Sequence, residues 1–330
     1  MNTPAFAMAA LAVVSLVSTS STQAAVSVPT LLTRFNVIAG DYTAGNETEG
    51  SAFVMGQYYP QDSRSRFGFN SGQVANDSIN TLWLNNGLGN ASGNVTLMTG
   101  SVVSRVAVDH SRFTMNGNAP GTPSFNEGTT AWNNALSTLG VNDVAEVNSA
   151  LLAASDQWKG LAANSTGNLP GNGSYTFNAT PTMIGGHSVA VFSVGAGTLF
   201  AQNSTFDRLE ANFNGAETIL INVSGTGSFT VNKNFTNGFT NNESKILFNF
   251  YEATNVTLGT NFRGAVYAPR AKVTQAGSNV DGTVVAANFI QTAEVHNVYF
   301  NSYLPYTTIP EPGAAALGLV GMVMLLRRKR

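Results

Sequence analysis

Cysteine is absent from the 330 residues. That excludes disulfides, a thiol nucleophile, iron–sulfur centres and cysteine-ligated zinc. Charge is scarce: Asp, Glu, Lys and Arg make up 10% of the chain, against about 25% in an ordinary globular protein. Basic residues are scarcer still between the ends. None precedes Arg34, and four of the sixteen stand in the last four positions. With those and Glu311 set aside, twelve basic residues face seventeen acidic ones, a net charge of −5 for the body. Such a body has no electrostatic footprint for nucleic acid or an anionic membrane. No Gly-x-Ser-x-Gly elbow, His-Glu-x-x-His pair or phosphate loop occurs. Asn, Thr, Ser and Gly supply the polarity instead, which suits a surface working outside a cell.

The two ends are the most informative segments present. Ala5 to Val17 is apolar, Ser18 to Gln23 is small and polar, and Ala24 and Ala25 then offer small residues to a signal peptidase. No Lys or Arg precedes the apolar run, so the free amino terminus is its only positive charge. The pattern predicts a signal peptide over residues 1–24; the alternative is a buried N-terminal helix. At the other end Pro310, Glu311 and Pro312 precede fourteen uncharged residues, Gly313 to Leu326, and then Arg327, Arg328, Lys329 and Arg330. As a helix the apolar run is about 21 Å long, short of the ~30 Å hydrocarbon core. Its basic end stays on the cytoplasmic side. Residues 306–330 therefore read as a sorting tag with a short transmembrane helix, holding the chain briefly at the membrane. The alternative is a marginal anchor that is kept.

Residues 25–305 remain for the body, enough for one large core or two modest ones. Its clearest order lies near the C-terminal end. Val256 and Val273 are 17 apart, while Gly264 and Gly282, and Val266 and Val284, are 18 apart. Short strands with Gly or Asn at the corners recur at that spacing, as stacked coils of a parallel β-helix require and hairpins do not. The alternative is a β-sandwich with coincidental spacing. Further strands are predicted at Ser51 to Gly56, Asn94 to Leu97, Ala216 to Val223, Gly227 to Val231 and Lys245 to Phe250. The run Ile219 to Val223 is almost wholly apolar, as for a strand covered on both faces. Between about Thr129 and Ala163 the rhythm turns helical, with Trp132, Leu136, Leu139, Val144, Val147, Leu151, Trp158 and Leu161 on the apolar stripe. Two helices, or one broken near Gly140, are expected to pack on the β-structure. The fold class is mainly β: an irregular parallel β-helix with a packed central helical segment.

Candidate chemistry is thin. Glu294 and His296 project on one face of a strand and are the best metal pair, but two ligands make a poor site. Glu47 and Glu49, or Asp207 and Glu210, offer oxygen ligands for calcium without the spacing of an EF-hand loop. Asp109-His110 reads as a turn or surface pair, and His187 follows a Gly-Gly turn. Tyr58, Tyr59, Trp83 and Tyr175 are candidates for stacking on sugar rings if exposed. Thr257 and Thr274 are placed to stack on adjacent coils, but no longer threonine ladder is visible, so an ice-type face is not expected. Asn46, Asn94, Asn172, Asn222 and Asn255 begin glycosylation triplets that an Asn-rich composition also produces by chance. No catalytic, cofactor or metal residue is assigned.

The tail, Pro310-Glu311-Pro312 with Arg327 to Arg330, resembles the PEP-CTERM sorting signal of Gram-negative bacteria. That resemblance implies processing by an exosortase, a multi-pass membrane protease. The body resembles the choice-of-anchor A domain of surface proteins. The matching stretches are Phe35 to Tyr42, Thr48 to Gly56, Ser244 to Phe250, Gly264 to Pro269, Asp281 to Phe289 and Glu294 to Asn297. The family's usual Arg after Glu-Gly is replaced by Ser51. That domain is similar to the discontinuous β-helix of ice-binding-like adhesive domains, with a long helix lying along the coils. The resemblances imply a non-enzymatic structural or adhesive protein that contributes to biofilm or floc formation. It is exported through the inner membrane and ends at the outer surface or beyond. Its expected partners are signal peptidase and the exosortase-type protease during export, then exopolysaccharide or like copies; nucleic acid is not among them. A carbohydrate-binding module is the runner-up and a glycan-active enzyme comes third.

Overall fold

The computed structural model describes residues 26–61, 65–68, 80–115, 123–169, 173–201 and 204–306, all within the compact unit Ala25–Ile309. Ala24 and Ala25 at one end, and Pro310, Glu311, Pro312 and Arg327 to Arg330 at the other, lie outside the described residues. Among the described residues no helix is long and apolar enough to cross a membrane.

Parallel strands stack into coils. Val266 pairs with Val284 and Val256 with Val273, both in parallel register, as their spacing predicts. Each coil passes through three faces. The strand Ala265–Gln275 serves two of them. Its first part pairs with Ile246–Phe250, and its second with Ala253–Leu258. Pro269 stands at the corner between them, where the register to Val284–Gln291 shifts. A residue without an N–H is tolerated there because the ladder is already interrupted. The third face is a separate sheet that includes Phe262–Arg263, Val280–Asp281, Val295–His296 and Glu47–Thr48.

Stacking order departs from chain order. The first strand, Val37–Ala44, lies beside Val284–Gln291, with Val37 opposite Val284. From this seam the N-terminal coils stack one way, ending at Ser124–Glu127. The C-terminal coils stack the other way, ending at His187–Gly195 and the short hairpin partner Thr182–Ile184. The solenoid is therefore a parallel β-helix built from two runs that begin and finish at its middle.

Helices carry the chain from one end to the other. A first helix, α1 (Val28–Arg34), precedes the seam; α2 (Thr129–Ser137) and α3 (Val144–Lys159) make the crossing. At 1.5 Å per residue α3 is about 24 Å long, the height of roughly five coils at ~4.8 Å each. The predicted break falls at Gly140, where φ is +70°. Asp143 caps α3: its Oδ1 accepts the Glu146 N–H at 2.9 Å, and the Glu146 carboxylate accepts the Asn142 N–H at 2.8 Å. Reciprocal capping of this kind satisfies donors that a helix start leaves free. The helix stops at Lys159, four residues before the sequence rhythm does.

Two apolar layers follow from the alternation of strand side chains. Inward residues fill the solenoid, where Tyr42 stacks on Phe289 at 5.3 Å and Phe248 meets Phe262 at 5.1 Å. Outward residues of one face are covered by the helices: Trp158 sits edge-on to Tyr267 at 4.7 Å, and Trp132 stacks on Phe53 at 5.9 Å. Ile219–Val223 is buried on both sides for this reason, the polar Asn222 within it included. Asn222, Asn249 and Tyr267 form one column in register, and all three donate to carbonyl oxygens of α3. Asn222 Nδ2 reaches Trp158 O at 2.8 Å, Asn249 Nδ2 reaches Ser155 O at 2.9 Å, and the Tyr267 hydroxyl reaches Leu151 O at 2.8 Å. These acceptors lie four and three residues apart, which places them on one side of the helix. The column thus fixes α3 in rotation as well as in position.

Candidate functional site

The helices cover one face; a second is left open. It is formed by Gly227–Val231, Ala253–Leu258, the second half of Ala265–Gln275, the second half of Val284–Gln291, the second half of Val37–Ala44, and Tyr58–Pro60. Alternate residues point inward to Val231, Leu258, Val273, Phe289, Tyr42 and Tyr58, all buried. The residues between them point outward, because strand side chains have a period of two.

Parallel register aligns the outward residues in columns. One column runs Thr230, Thr257, Thr274, Ile290, Thr43, Tyr59. Beside it runs Ser228, Asn255, Lys272, Asn288, Asp41. Neighbours within a column are separated by the strand spacing of ~4.8 Å, and the two columns by two residues of strand, about 6.6 Å. The result is a regular grid of mostly hydroxyl and carboxamide groups, interrupted by Ile290, Tyr59, Lys272 and Asp41. Thr257 and Thr274 stack as expected, but the expectation that the ladder ends there is overturned. Thr230 extends it on one side and Thr43 rejoins it on the other. Thr230 was hidden because it lies 27 residues before Thr257, and Thr43 because it enters across the seam from the opposite end of the chain. Alternation within each strand was the signal that would have found both.

The proposed stacking aromatics are corrected. Trp83 is fully buried, 5.5 Å from Phe35 and 6.0 Å from Trp132 beneath the helices. Tyr58 points into the solenoid against Tyr42 at 5.3 Å, and Tyr175 packs on Phe177 at 5.1 Å. Hydrophobic burial claims these rings first, since each removes a large apolar area from water. Tyr59 alone lies on the open face, half-buried across Gly89, its hydroxyl donating to Gln57 Oε1 at 2.7 Å.

The third face carries the charge. Arg263 bridges Glu243 and Asp281, the latter at 3.2 Å, and His296 joins Asp281 to Glu294 through its two ring nitrogens, the latter at 3.1 Å. Glu294 and His296 do share a face, and they cross-link coils. Glu47 is held by Arg66 at 2.8 Å, and Glu49 accepts the Asn297 N–H at 2.8 Å. Both carboxylates thereby tie neighbouring coils together. Asp207 faces Arg208 at 3.4 Å. Among the described residues no group of three or more His, Asp or Glu is placed to hold a metal ion. Asp109 caps a short 3-10 turn, and His110 stacks on Phe125 while meeting Glu127 at 2.9 Å. His187 stacks on Tyr303 at 4.1 Å and pairs with Glu217 at 3.0 Å.

The His296 imidazolium is stabilised: its pKa is raised from 6.5 to about 9, first by the hydrogen bond to Asp281, against desolvation, with help from Glu294 and Glu49. A folded-state pKa above the unfolded value means the folded chain holds the proton more tightly. The contribution is therefore complete below about pH 6.5 and fades as pH rises through about 9. The side chain is 31% exposed, so screening limits the effect to on the order of 1–2 kcal/mol. Urea denaturation of the wild type should show this fall between those pH values, and His296→Gln should flatten it.

A family model for an ice-binding-like adhesive domain matches residues 30–297. Among solved structures, an ice-binding protein from the Antarctic ascomycete Antarctomyces psychrotrophicus is similar at 11% identity, covering 82% of this chain and 98% of its own, with a TM-score of 0.35. An ice-binding protein domain from Shewanella frigidimarina is 15% identical, covering 83% and 99%, with a TM-score of 0.33. A glycosylated ice-binding protein from an Arctic yeast is 13% identical, covering 86% and 95%, at 0.29. No curated protein matches the chain.

Proposed function

Because this chain belongs to the family of ice-binding-like adhesive domains, we propose that it is an exported, non-enzymatic surface protein that adheres through its open threonine face. The observation that carries the reading is the grid itself. Six adjacent strands present outward side chains in register on a face that, among the described residues, no helix covers. A rigid, weakly charged surface suits contact with another extended surface, because its groups are ordered before binding and little entropy is lost.

The ends support export. Residues 1–24 serve as the signal peptide, cut beside Ala24 and Ala25. Pro310, Glu311, Pro312 and Arg327 to Arg330 serve as a PEP-CTERM tag, read by an exosortase-type protease in a Gram-negative inner membrane. The body acts as a choice-of-anchor A domain in a biofilm or floc, with exopolysaccharide or like copies as its partners. Placing carboxylates in the grid with Thr257→Asp and Thr274→Asp should lower retention of the displayed protein on cells and matrix by about tenfold or more, since each new charge is desolvated on contact. Unchanged retention of a correctly folded double variant overturns the reading.

A second reading, contact with ice itself, is favoured by Thr230, Thr257, Thr274 and Thr43 standing in one column. Lys272, Asp41 and Ile290 interrupt the grid and weigh for a polymer surface instead. An ice-recrystallisation assay on the same variants separates the two.

A further inference from the structure

The open face has a concave shoulder. Where the coils turn from the helix-covered face to the open one, the first turns of α3 border a groove. Gly40 and Gly56 are among its lining residues. A Cβ on Gly40 would lie 2.1 Å from the Ala287 carbonyl oxygen, and one on Gly56 would lie 2.2 Å from Asp41 Oδ1, so the close approach of neighbouring groups requires glycine at both. Asp41, Asn288 and Asn148 stand around it with exposed side chains, and Met55 contributes an apolar wall. Asp41 is held in place, its Oδ1 accepting the Gln57 N–H at 2.8 Å. Asp41 and Asn288 are neighbours in register, and their column continues along the face through Lys272 and Asn255.

One carboxylate and two carboxamides provide donors and acceptors together, the mixture that neighbouring hydroxyls require. A single carboxylate gives too little charge for a hard divalent cation, and a body of net charge −5 disfavours a polyanion. We propose that this groove is a subsite for one ring of a neutral, extended β-1,4-linked polysaccharide whose following rings run along the open face, parallel to the solenoid axis. The proposal rests on the adhesive reading of that face. An extended chain keeps straight and meets a fresh polar residue at each coil, every ~4.8 Å. An α-linked chain coils away from a straight column.

Calorimetric titration of the full chain with cellohexaose and with maltohexaose tests this. Cellohexaose should bind saturably and maltohexaose should not. Asn148→Ala and Asn288→Ala should each weaken binding about five- to tenfold, with unchanged circular dichroism because both side chains are exposed. Absence of saturable cellohexaose binding, equal binding of maltohexaose, or indifference to both substitutions overturns the subsite. If the protein is then still retained on cells through Thr257 and Thr274, only the subsite fails. If retention is insensitive to those threonines as well, the adhesive reading fails with it.

Discussion

Replacing Gly282 with alanine is expected to remove about 4 kcal/mol or more of folding stability, a loss seen only when a specific structural element breaks. The new Cβ would stand 2.0 Å from the carbonyl oxygen of Gly264 and 2.4 Å from its carbonyl carbon. Neither coil has room to yield. The Gly264 N–H donates to Asp281 O at 2.9 Å and the Val266 N–H to Thr283 O at 2.8 Å, so the ladder sets the spacing on both sides of the clash. Gly264 is itself committed to a φ of +109°, which other residues rarely adopt. The natural control is Gly277→Ala. That glycine has a φ of +81° but nothing within 4 Å of the added atom, so backbone strain alone remains, roughly 1–2 kcal/mol. Equilibrium denaturation of the two variants should separate them clearly, and near-equal losses would contradict the close stacking at this corner.

Asn249→Ala should follow closely, with a loss of about 3–4 kcal/mol. Asn249 is fully buried beneath α3. Its Nδ2 donates to Asn222 Oδ1 and to Ser155 O, both at 2.9 Å, and its Oδ1 accepts the Ser155 hydroxyl at 2.6 Å. Truncation strands those partners where water does not reach, so the penalty is desolvation without recompense. Leucine fills the volume without restoring a single bond, and Asn249→Leu should therefore be nearly as damaging. Amide exchange gives a second readout: protection across Val144–Lys159 should fall while protection of Tyr42 and Phe289 at the seam is retained. Uniform loss along the chain would mean that the column does not act on α3 specifically.

The repeat of Val266 and Val284 was legible because adjacent coils near the C-terminal end follow one another without interruption, so spatial neighbours sit at a constant offset. Trp132, Val147, Leu151 and Trp158 were legible as a covered stripe because a helix writes its own period into the chain. Elsewhere the coils vary in length, and Thr230 and Thr257 share a column at an offset of 27, unlike the offsets of 17 and 18 near the C-terminal end. Of the threonine column only Thr257 and Thr274 are legible in the sequence, because its remaining members come from distant segments. Tyr58, Trp83 and Tyr175 were misplaced for a related reason. An aromatic in a short strand looks the same whether it points in or out, and the direction depends on which neighbours are in register. The charged links around Asp281 and His296 needed the third face, whose strands are two or three residues long and carry almost no periodic signal.

The seam between Val37–Ala44 and Val284–Gln291 has a consequence for biogenesis. Val37 and its partner Val284 are 247 residues apart. A ribosome adding ~5–20 residues per second delivers the second of them roughly 12–50 s after the first. Throughout that interval the earliest strand keeps an unpaired edge, a ready template for wrong partners. Half a product cannot close, whichever half it is. The architecture thereby favours a chain that stays unfolded until its far end has arrived, and rewards escort by a holding chaperone over folding as it emerges.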